Sequence, residues 1–340
     1  MSDTLAPDHL LDTRGRSQQL DAFVVAACFD RAGACGFAMG DGTVQVADGA
    51  GWRQMEVHDG AALALAAHPA GGFLSGGDDG RLVRVEEGAT EVAGFGGKWV
   101  DQVAAWSGPK GGLFACAAGK VAHLFDDKGT KLRTFEHPST VTGLAFDSKG
   151  KRLAASHYNG ASLWFVGAKD GKPRLLEWKG SHIGVALHPG GDALVTAMQE
   201  NALHGWRLAD GQHMRMSGYP SKTNSLGFSR TGKWLASSGA DGIVLWPFFG
   251  GGPMGKPPME LAGGDGVLCT RIACHPQHDA VAAGFQDGLV VLADLNTQRI
   301  LPVSGAGRGP VSALAWNAAG TALAIGTETG FTALVDLSPR

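Results

Sequence analysis

One short string in the sequence resembles a phosphate-binding loop. Residues 250–256 read Gly-Gly-Gly-Pro-Met-Gly-Lys. A nucleotide-binding loop of this kind needs a Ser or Thr after the lysine to ligate Mg²⁺, and a helix whose N-terminus faces the phosphates. Pro257 and Pro258 follow the lysine instead, so there is no hydroxyl and no helix can continue through the two prolines. We therefore interpret residues 247–258 as a loop insertion and predict no cofactor.

Histidine and cysteine are the other residue types with possible chemistry, since both ligate transition metals. Three of the twelve histidines precede a proline at matching places in the chain, which suits a turn: His68, His188 and His275. The densest group contains Cys269, Cys274, His275 and His278, but it lacks the spacing of structural zinc sites. We predict no metal site. The sequence also has no G-x-S-x-G or H-E-x-x-H catalytic motif.

The composition narrows the class of protein. Glycine accounts for 53 of the 340 residues, about twice its usual share. Glycine in a helix interior costs about 1 kcal/mol relative to alanine, so a mainly helical fold is excluded. The formal net charge of −3 and the lack of a Lys/Arg run argue against a nucleic-acid partner.

Cysteine usage and hydropathy indicate the compartment. The chain has five cysteines, an odd number, with no C-x-x-C pair, which favours a reducing environment. No apolar stretch reaches the length of about 18 residues that predicts a membrane span, and the first residues carry acids rather than a signal-peptide core. We therefore expect a cytoplasmic protein with no membrane partner.

A repeat with a mean period of about 41 residues runs along the chain. Its marker is a residue that follows a short apolar run and precedes a turn, and successive markers lie 38, 39, 40, 41, 41, 46 and 42 residues apart. The markers are Phe29, Ala67, Trp106, Phe146, Leu187, Phe228, Cys274 and Trp316. Each is preceded by Ala, Gly or Cys. Side chains of that size allow strands to crowd near a common axis, while the larger marker fills the wider space between sheets.

Each marker is followed by a tight turn, a second strand, another turn and a third strand, and a more polar fourth segment completes the unit. The second turns favour Asp-Gly and Asn-Gly, as at residues 41–42, 79–80 and 159–160, because these pairs supply positive φ at low cost. Units of four short strands at this period are typical of propeller blades, which bury both faces only by stacking radially.

We therefore predict an all-β fold: a single β-propeller of eight four-stranded blades, with seven blades as the alternative, forming one domain over residues 1–340. The insertion at residues 247–258 would lie between blades six and seven. The last recognisable strand, residues 331–337, is a third strand, so the last blade needs an outer strand from elsewhere. We predict that residues 9–19 of the N-terminal segment provide it, which closes the ring and leaves no open sheet edge.

These units resemble the WD40 repeat family from about residue 20 to residue 337. Residues 228–246 carry the resemblance best, reading Phe-Ser-Arg-Thr-Gly-Lys-Trp-Leu-Ala-Ser-Ser-Gly-Ala-Asp-Gly-Ile-Val-Leu-Trp, and residues 146–164 are nearly as close. The likeness extends to bacterial propellers similar to that of anaphase-promoting complex subunit four.

The sequence departs from the family in two places. The family's Trp-Asp pair is missing, since Trp164, Trp206 and Trp246 precede Phe, Arg and Pro. Its Gly-His pair survives only as Ser181-His182. We therefore expect the Asp–His–Ser–Trp hydrogen-bond network of the family to be absent from most blades.

The best candidate surface is the face that gathers the second turns and the entries to the first strands, because loops on a rigid scaffold carry function. Proteins similar to WD40 generally bind partners through this face and the channel mouth, and Trp99 and Tyr158 would be the natural anchors. We assign to this partner-binding surface Arg81, Lys98, Trp99, Asp101, His157, Tyr158, His182, Gln199, Glu200, Lys222, Arg271 and Gln286.

The function predicted from these observations is a non-catalytic interaction scaffold that binds a protein partner and is monomeric on its own. The alternatives are a small-ligand-binding protein or an enzyme with its site in the channel, which would need clustered titratable groups such as His157, His182 and Glu200. A metal-homeostasis accessory protein is a further alternative. It rests on the histidine count and on similar bacterial proteins that accompany zinc-homeostasis genes.

Overall fold

Antiparallel β-strands make up nearly all of the regular structure. The computed structural model describes residues 9–109, 111–168, 171–264 and 266–339, which contain thirty strands and one short helix. The chain begins with α1 (Leu10–Arg14) and β1 (Gly15–Gln19). The first three repeats follow, each with four strands in order from the inner to the outer position. They contain β2 (Val24–Phe29), β3 (Cys35–Met39), β4 (Thr43–Asp48), β5 (Gly51–Glu56), β6 (Ala62–Ala67), β7 (Phe73–Gly77), β8 (Arg81–Val85), β9 (Ala89–Gly94), β10 (Gln102–Gly108), β11 (Gly111–Ala118), β12 (Val121–Asp126) and β13 (Lys131–Glu136).

The fourth and fifth repeats share one continuous sheet of six elements. They contain β14 (Gly143–Phe146), β15 (Arg152–Phe165), β16 (Arg174–Leu187), β17 (Ala193–Met198), β18 (Ala202–Arg207) and β19 (His213–Met216). β15 folds back on itself at Asn159, whose φ is 65°, and the Val166 amide donates to the Lys151 carbonyl at 2.9 Å. β16 pairs with β15 through residues 174–177 and with β17 through residues 182–187, so it is the outer strand of one repeat and the inner strand of the next.

The last three repeats again have four strands each. They contain β20 (Leu226–Phe228), β21 (Trp234–Ser237), β22 (Ile243–Pro247), β23 (Met259–Leu261), β24 (Cys269–Cys274), β25 (Ala280–Phe285), β26 (Val290–Asp294), β27 (Ile300–Ser304), β28 (Val311–Trp316), β29 (Ala322–Thr327) and β30 (Phe331–Asp336). β1 is the fourth strand of the last sheet, in the order β1-β30-β29-β28.

The all-β, single-propeller prediction is confirmed. In the described part of the chain the strands form seven sheets, which matches the alternative count of seven rather than eight separate blades. The eight repeats of the sequence are carried by seven sheets because repeats four and five are hydrogen-bonded into one. Inner strands contact each other in a closed circle, in the order β2, β6, β10, β14, β16, β20, β24, β28 and back to β2.

The core is divided among the interfaces between neighbouring repeats. Between repeats six and seven, for example, Ile243 and Leu245 of β22 pack with Val281 and Phe285 of β25, and all four are at most 2% exposed. Similar apolar clusters lie between the other neighbours, including one between repeats eight and one that contains Val24 and Leu334. Full burial of each such side chain stabilises the fold by about 1.5–3 kcal/mol, so a repeat gains its stability from the repeats beside it.

Ring closure by the N-terminal segment is confirmed, over a shorter strand than expected. β1 pairs with β30 from Gly15 opposite Val335 to Gln19 opposite Phe331. The first part of the predicted strand, residues 10–14, is instead the helix α1. All five side chains of β1 are exposed, whereas Leu11 in α1 is 5% exposed and packs in the cluster between repeats seven and eight. The helical turn therefore buries an apolar side chain that an outer strand would leave in water.

The predicted position of the insertion is corrected. Pro247 ends β22 and Met259 begins β23, so the segment connects the third and fourth strands of repeat six rather than two blades. The longer spacing between markers shows that this unit has extra residues but not which of its connections holds them. Lys256 of the phosphate-loop-like string folds back onto its own loop, where its Nζ donates to the Gly250 carbonyl at 3.1 Å.

Candidate functional site: the loop face

We call the loop face the face of the ring that carries the turns between second and third strands and the connections from one repeat to the next. Glycine is required in these turns because they lie directly on the neighbouring connection. Gly80 has a φ of 78°, and a Cβ there would lie 1.9 Å from the carbonyl oxygen of Gly96. The Gly80 carbonyl accepts a hydrogen bond from the Phe95 amide at 2.8 Å. The loops are thus held in place by backbone contacts.

Arg81 lies in a hydrogen-bonded network of repeat two. Its Nε donates to Asp79 Oδ2 at 2.8 Å, and His58 Nδ1 lies 3.0 Å from Asp79 Oδ1. The other ring nitrogen of His58 is 2.9 Å from Ser75 Oγ. Burial of Asp79 by itself would raise its pKa, but the hydrogen bonds from Arg81 and from backbone amides lower the pKa of this carboxyl below its usual value. Arg81 therefore supports the turn as well as bordering the surface.

Partial networks of the same kind occur in two further repeats. Trp164 Nε1 donates to His137 Nε2 at 3.0 Å in repeat four. In repeat six Trp246 Nε1 donates to the Tyr219 hydroxyl at 2.7 Å, and that hydroxyl is 2.6 Å from Ser237 Oγ. The sequence does not indicate these partners, because His58 and His137 do not follow a glycine and Tyr219 replaces the histidine. Only their position in space identifies them.

Large aromatic side chains on the loop face are open to solvent. Trp99, in the connection to β10, is 61% exposed, and Tyr158, at the turn of β15, is 57% exposed. Phe23, just before β2, is 41% exposed and was not predicted. Its position before the first inner strand carries no motif, so only its exposure in the structure reveals it. The two anchors suggested by the sequence are therefore at the surface, together with a third aromatic.

Two predicted partner contacts, His157 and His182, are buried, and their assignment to the binding surface is corrected. His157 is 4% exposed, with Nε2 2.9 Å from Ser162 Oγ. His182 is 0% exposed, with Nε2 2.9 Å from the Trp178 carbonyl and Nδ1 2.7 Å from Thr196 Oγ1. Burial lowers the pKa of His182 below its ordinary value. These rings hold the turns in place, and neither is hydrogen-bonded to the other or to Glu200.

The other predicted residues lie on the loop face. The exposed members of this group are Lys98, Gln199, Glu200, Lys222 and Gln286. Glu200 accepts a hydrogen bond from the Ser181 amide at 3.0 Å, which ties its turn to the entry of the inner strand of the same repeat. Asp101 is half-buried, and desolvation raises the pKa of its carboxyl. These polar side chains come from loops of several different repeats on the same face of the ring.

Arg271 occupies a special position on an inner strand. Four other inner strands have an uncharged residue at the matching register position, namely Ala26, Ala64, Gly184 and Ala313. The Arg271 Nε donates to the Ser312 carbonyl at 2.7 Å and its Nη1 to the Thr270 carbonyl at 3.0 Å. The guanidinium therefore lies across the inner strands of repeats seven and eight.

The predicted turn histidines lie on the opposite face, in the first hairpin turns. His275 accepts from the amides of Gln277 and His278 through Nδ1, and its Nε2 is 3.0 Å from the Gly320 carbonyl. Both ring nitrogens are engaged by the two adjacent turns. Among the residues that the structure describes, no group of three or more His, Cys, Asp or Glu side chains is placed to hold a metal ion. Desolvation raises the pKa of the Cys269 thiol to about 12.

Among the described residues, no helix is both long enough and apolar enough to span a membrane.

Comparison with known proteins agrees with the geometry. The family model described as "WD domain, G-beta repeat" matches residues 129–172 and 212–246. The model described as "Anaphase-promoting complex subunit 4 WD40 domain" matches residues 272–339. No curated protein matches the chain in sequence. Among solved structures, the computationally designed Ika8 protein is similar in fold, with a TM-score of 0.74 and 20% identity over 94% of this chain and 98% of that one.

Proposed function

The chain belongs to the WD40 repeat β-propeller family, and from that premise we propose that it is a non-catalytic scaffold that binds a partner protein through the loop face and the channel mouth. Propellers of this family commonly mediate protein–protein interaction and are typically not enzymes. The fold alone does not identify a partner, so the proposal depends on the residues at the surface.

The exposure of Trp99 and Tyr158 is the observation that carries this proposal. Large aromatic side chains on loops held by backbone hydrogen bonds provide contact area at little cost in entropy, and such residues dominate the binding energy of interfaces. The Tyr158 amide is anchored by Ser139 Oγ at 2.9 Å, so its turn is tied to the preceding connection. Polar neighbours such as Lys98 and Glu200 would form the rim of the interface.

We further propose that the scaffold is a cytoplasmic monomer. The five cysteines are free, and burial raises the pKa of thiols such as Cys116, which reaches about 12. Protonated, buried thiols of this kind suit a reducing compartment, where no disulfide is needed for stability. Because the chain closes its own ring, the loop face stays available to a protein other than a second copy of this chain.

The test is affinity purification of the tagged protein from its native cells, followed by quantitative mass spectrometry. We expect one stoichiometric partner, whose recovery falls at least about tenfold for the double variant Trp99→Ala/Tyr158→Ala, since loss of a hot-spot residue costs about 2 kcal/mol or more. Phe165→Ala is the matched control, because Phe165 is 60% exposed at the far end of β15, away from the loop face.

Recovery of that partner should be unchanged for Phe165→Ala. If the double variant retains the partner, or if Phe165→Ala loses it equally, the loop face is not the binding surface.

A further inference from the structure

The inner strands around the channel are almost free of charge. The inner-strand segments of the eight repeats consist mainly of Ala, Gly, Val and Leu, and Arg271 is the one Lys, Arg, Asp or Glu among these described segments. Seven neutral strands therefore surround a single cation. Such an exception is informative because a charge placed against apolar surface costs free energy unless it is paired.

The Arg271 guanidinium is positioned by backbone groups and not by a carboxylate. Its Nε and Nη1 donate to the carbonyls of Ser312 and Thr270. Within the described residues no Asp or Glu oxygen lies within 4.0 Å of it. The acidic group that influences it is Glu328, which is exposed on the adjacent loop of repeat eight. The positive charge is thus held in place, with no carboxylate of the described residues beside it.

One edge of the guanidinium remains available. The Nη2 group has no hydrogen-bond partner among the described residues, and it is not one of the buried atoms that lack a partner, so solvent reaches it. The residues at the same register in the next two repeats, Ala313 and Ala26, have small side chains. Desolvation lowers the pKa of Arg271, which shows that the surroundings disfavour the unpaired cation.

We propose that Arg271 binds one carboxylate of the partner protein at the channel mouth, from an Asp or Glu side chain or from a chain terminus. This inference deepens the proposed function and rests on it for the identity of the ligand. A carboxylate matches the planar N–H groups of a guanidinium and pairs with them more strongly in a partly desolvated site than in water. Because one repeat in the ring carries the arginine, the ring has one such site.

The experiment measures binding of small carboxylates to the full chain, and therefore needs no partner protein. N-acetyl-aspartate amide represents the side-chain source and N-acetyl-glycylglycine the terminal source, while N-acetyl-asparagine amide and sodium chloride are the controls. The readout is the Nε–H resonance of Arg271 by NMR at constant ionic strength. We expect a saturable shift with at least one carboxylate and none with either control, and the stronger of the two carboxylates identifies the source.

Variants sharpen the test. Arg271→Gln should abolish the saturable binding, and Arg271→Lys should weaken it because an ammonium lacks the paired N–H groups. Glu328→Gln should strengthen carboxylate binding by about two- to fivefold, because a nearby exposed negative charge would no longer compete for the Arg271 guanidinium. Lys128→Gln is the control cation, because Lys128 is exposed in the turn between β12 and β13 on the opposite face, and it should leave carboxylate binding unchanged. Circular dichroism and thermal melting establish that each variant is folded.

Two outcomes overturn the inference: chloride shifts the Arg271 resonance as much as the carboxylates do, or Lys128→Gln reduces binding as much as Arg271→Gln. These outcomes differ from failure of the proposed function, which would be the absence of a partner that depends on Trp99 and Tyr158. A partner that binds through those aromatics but is unaffected by Arg271→Gln contradicts the role of Arg271 while leaving the scaffold intact.

Discussion

At the scale of single residues, histidine in this protein acts mainly as a neutral hydrogen-bonding ring. Burial lowers the pKa of seven histidines: His58, His68, His123, His137, His182, His204 and His275. His204 shows the effect most strongly, since desolvation lowers its pKa to about 3. Trp178 stacks on the His204 ring at a centroid distance of 4.1 Å, and His204 Nε2 lies 2.9 Å from His213 Nδ1. A proton on this ring would be enclosed by aromatic surface and would face another imidazole.

The free energy of unfolding should therefore decrease as the pH falls from 7 towards 4. The unfolded chain binds protons near the ordinary histidine pKa of 6.5, whereas folded His204 remains neutral down to a pKa of about 3, so protonation favours the unfolded state in this window. One such group contributes a slope of about 1.4 kcal/mol per pH unit. Urea denaturation between pH 7 and pH 4 measures it, and His204→Gln should have a smaller slope than the wild type. Equal slopes would show that His204 does not contribute.

At the scale of elements, an extra residue at the start of several inner strands connects neighbouring repeats. Thr270 Oγ1 donates to the Val311 carbonyl of the next repeat at 2.6 Å, and Ser312 Oγ donates to the Val24 carbonyl at 2.6 Å. Thr142 and Ser225 make the equivalent bonds to the carbonyls of His182 and Ile272. Thr270 and Ser312 lie where the register between inner and second strand shifts, between Cys269 and Arg271 and between Val311 and Ala313. A β-bulge thus turns a hydroxyl towards the neighbouring repeat.

Thr270→Val should destabilise the protein by about 1–3 kcal/mol, because the Val311 carbonyl of the next repeat would lose the Thr270 hydroxyl as its donor. The shape of the side chain is nearly unchanged, so packing contributes little. Thr134→Val is the matched control, since Thr134 is exposed on the outer strand β13 and a substitution there changes stability by about 0.5 kcal/mol or less. Chemical denaturation compares the two. A cost for Thr134→Val equal to that of Thr270→Val would contradict the role of the inter-repeat bond.

At the scale of the whole molecule, two distant parts of the chain close the ring. Besides the β1–β30 pairing, Gln19 Nε2 donates to the Thr329 carbonyl at 2.6 Å, and Leu11 is buried between repeats seven and eight. The strand covers the edge of β30, which would otherwise present unpaired backbone groups to other chains. Closure therefore serves both stability and solubility.

Deletion of residues 1–19 should lower the melting temperature and cause self-association, because it uncovers the edge of β30. Leu11→Ala separates the two effects. It should lower the free energy of unfolding by about 2–5 kcal/mol, as truncation of a buried leucine does. Because β1 still covers the edge of β30, the protein should remain monomeric. Thermal melting and light scattering provide the two measurements. A deletion variant that stays monomeric would show that the β30 edge is protected in another way.

Most of the architecture could be predicted from the sequence because it depends on local chemistry. Seven of the eight markers are the last residue of an inner strand, as Phe29 and Trp316 show, because an apolar run followed by turn residues specifies where a strand ends. Asp-Gly pairs marked the tight turns for a similar reason, as at Gly42, whose φ is 88°. An outer strand missing at one end and a free segment at the other predicted the closure.

Contacts between residues about forty positions apart could be assigned only from the tertiary structure. The repeat spacing did not show that repeats four and five join into one sheet, because that depends on continuous pairing along β16. Nor did it show that His182 is enclosed by Trp178 and Thr196, or that no carboxylate in the described part of the chain lies beside Arg271. Burial and hydrogen-bond partners depend on the neighbouring repeat in space, and residue type and spacing within one repeat do not contain that information.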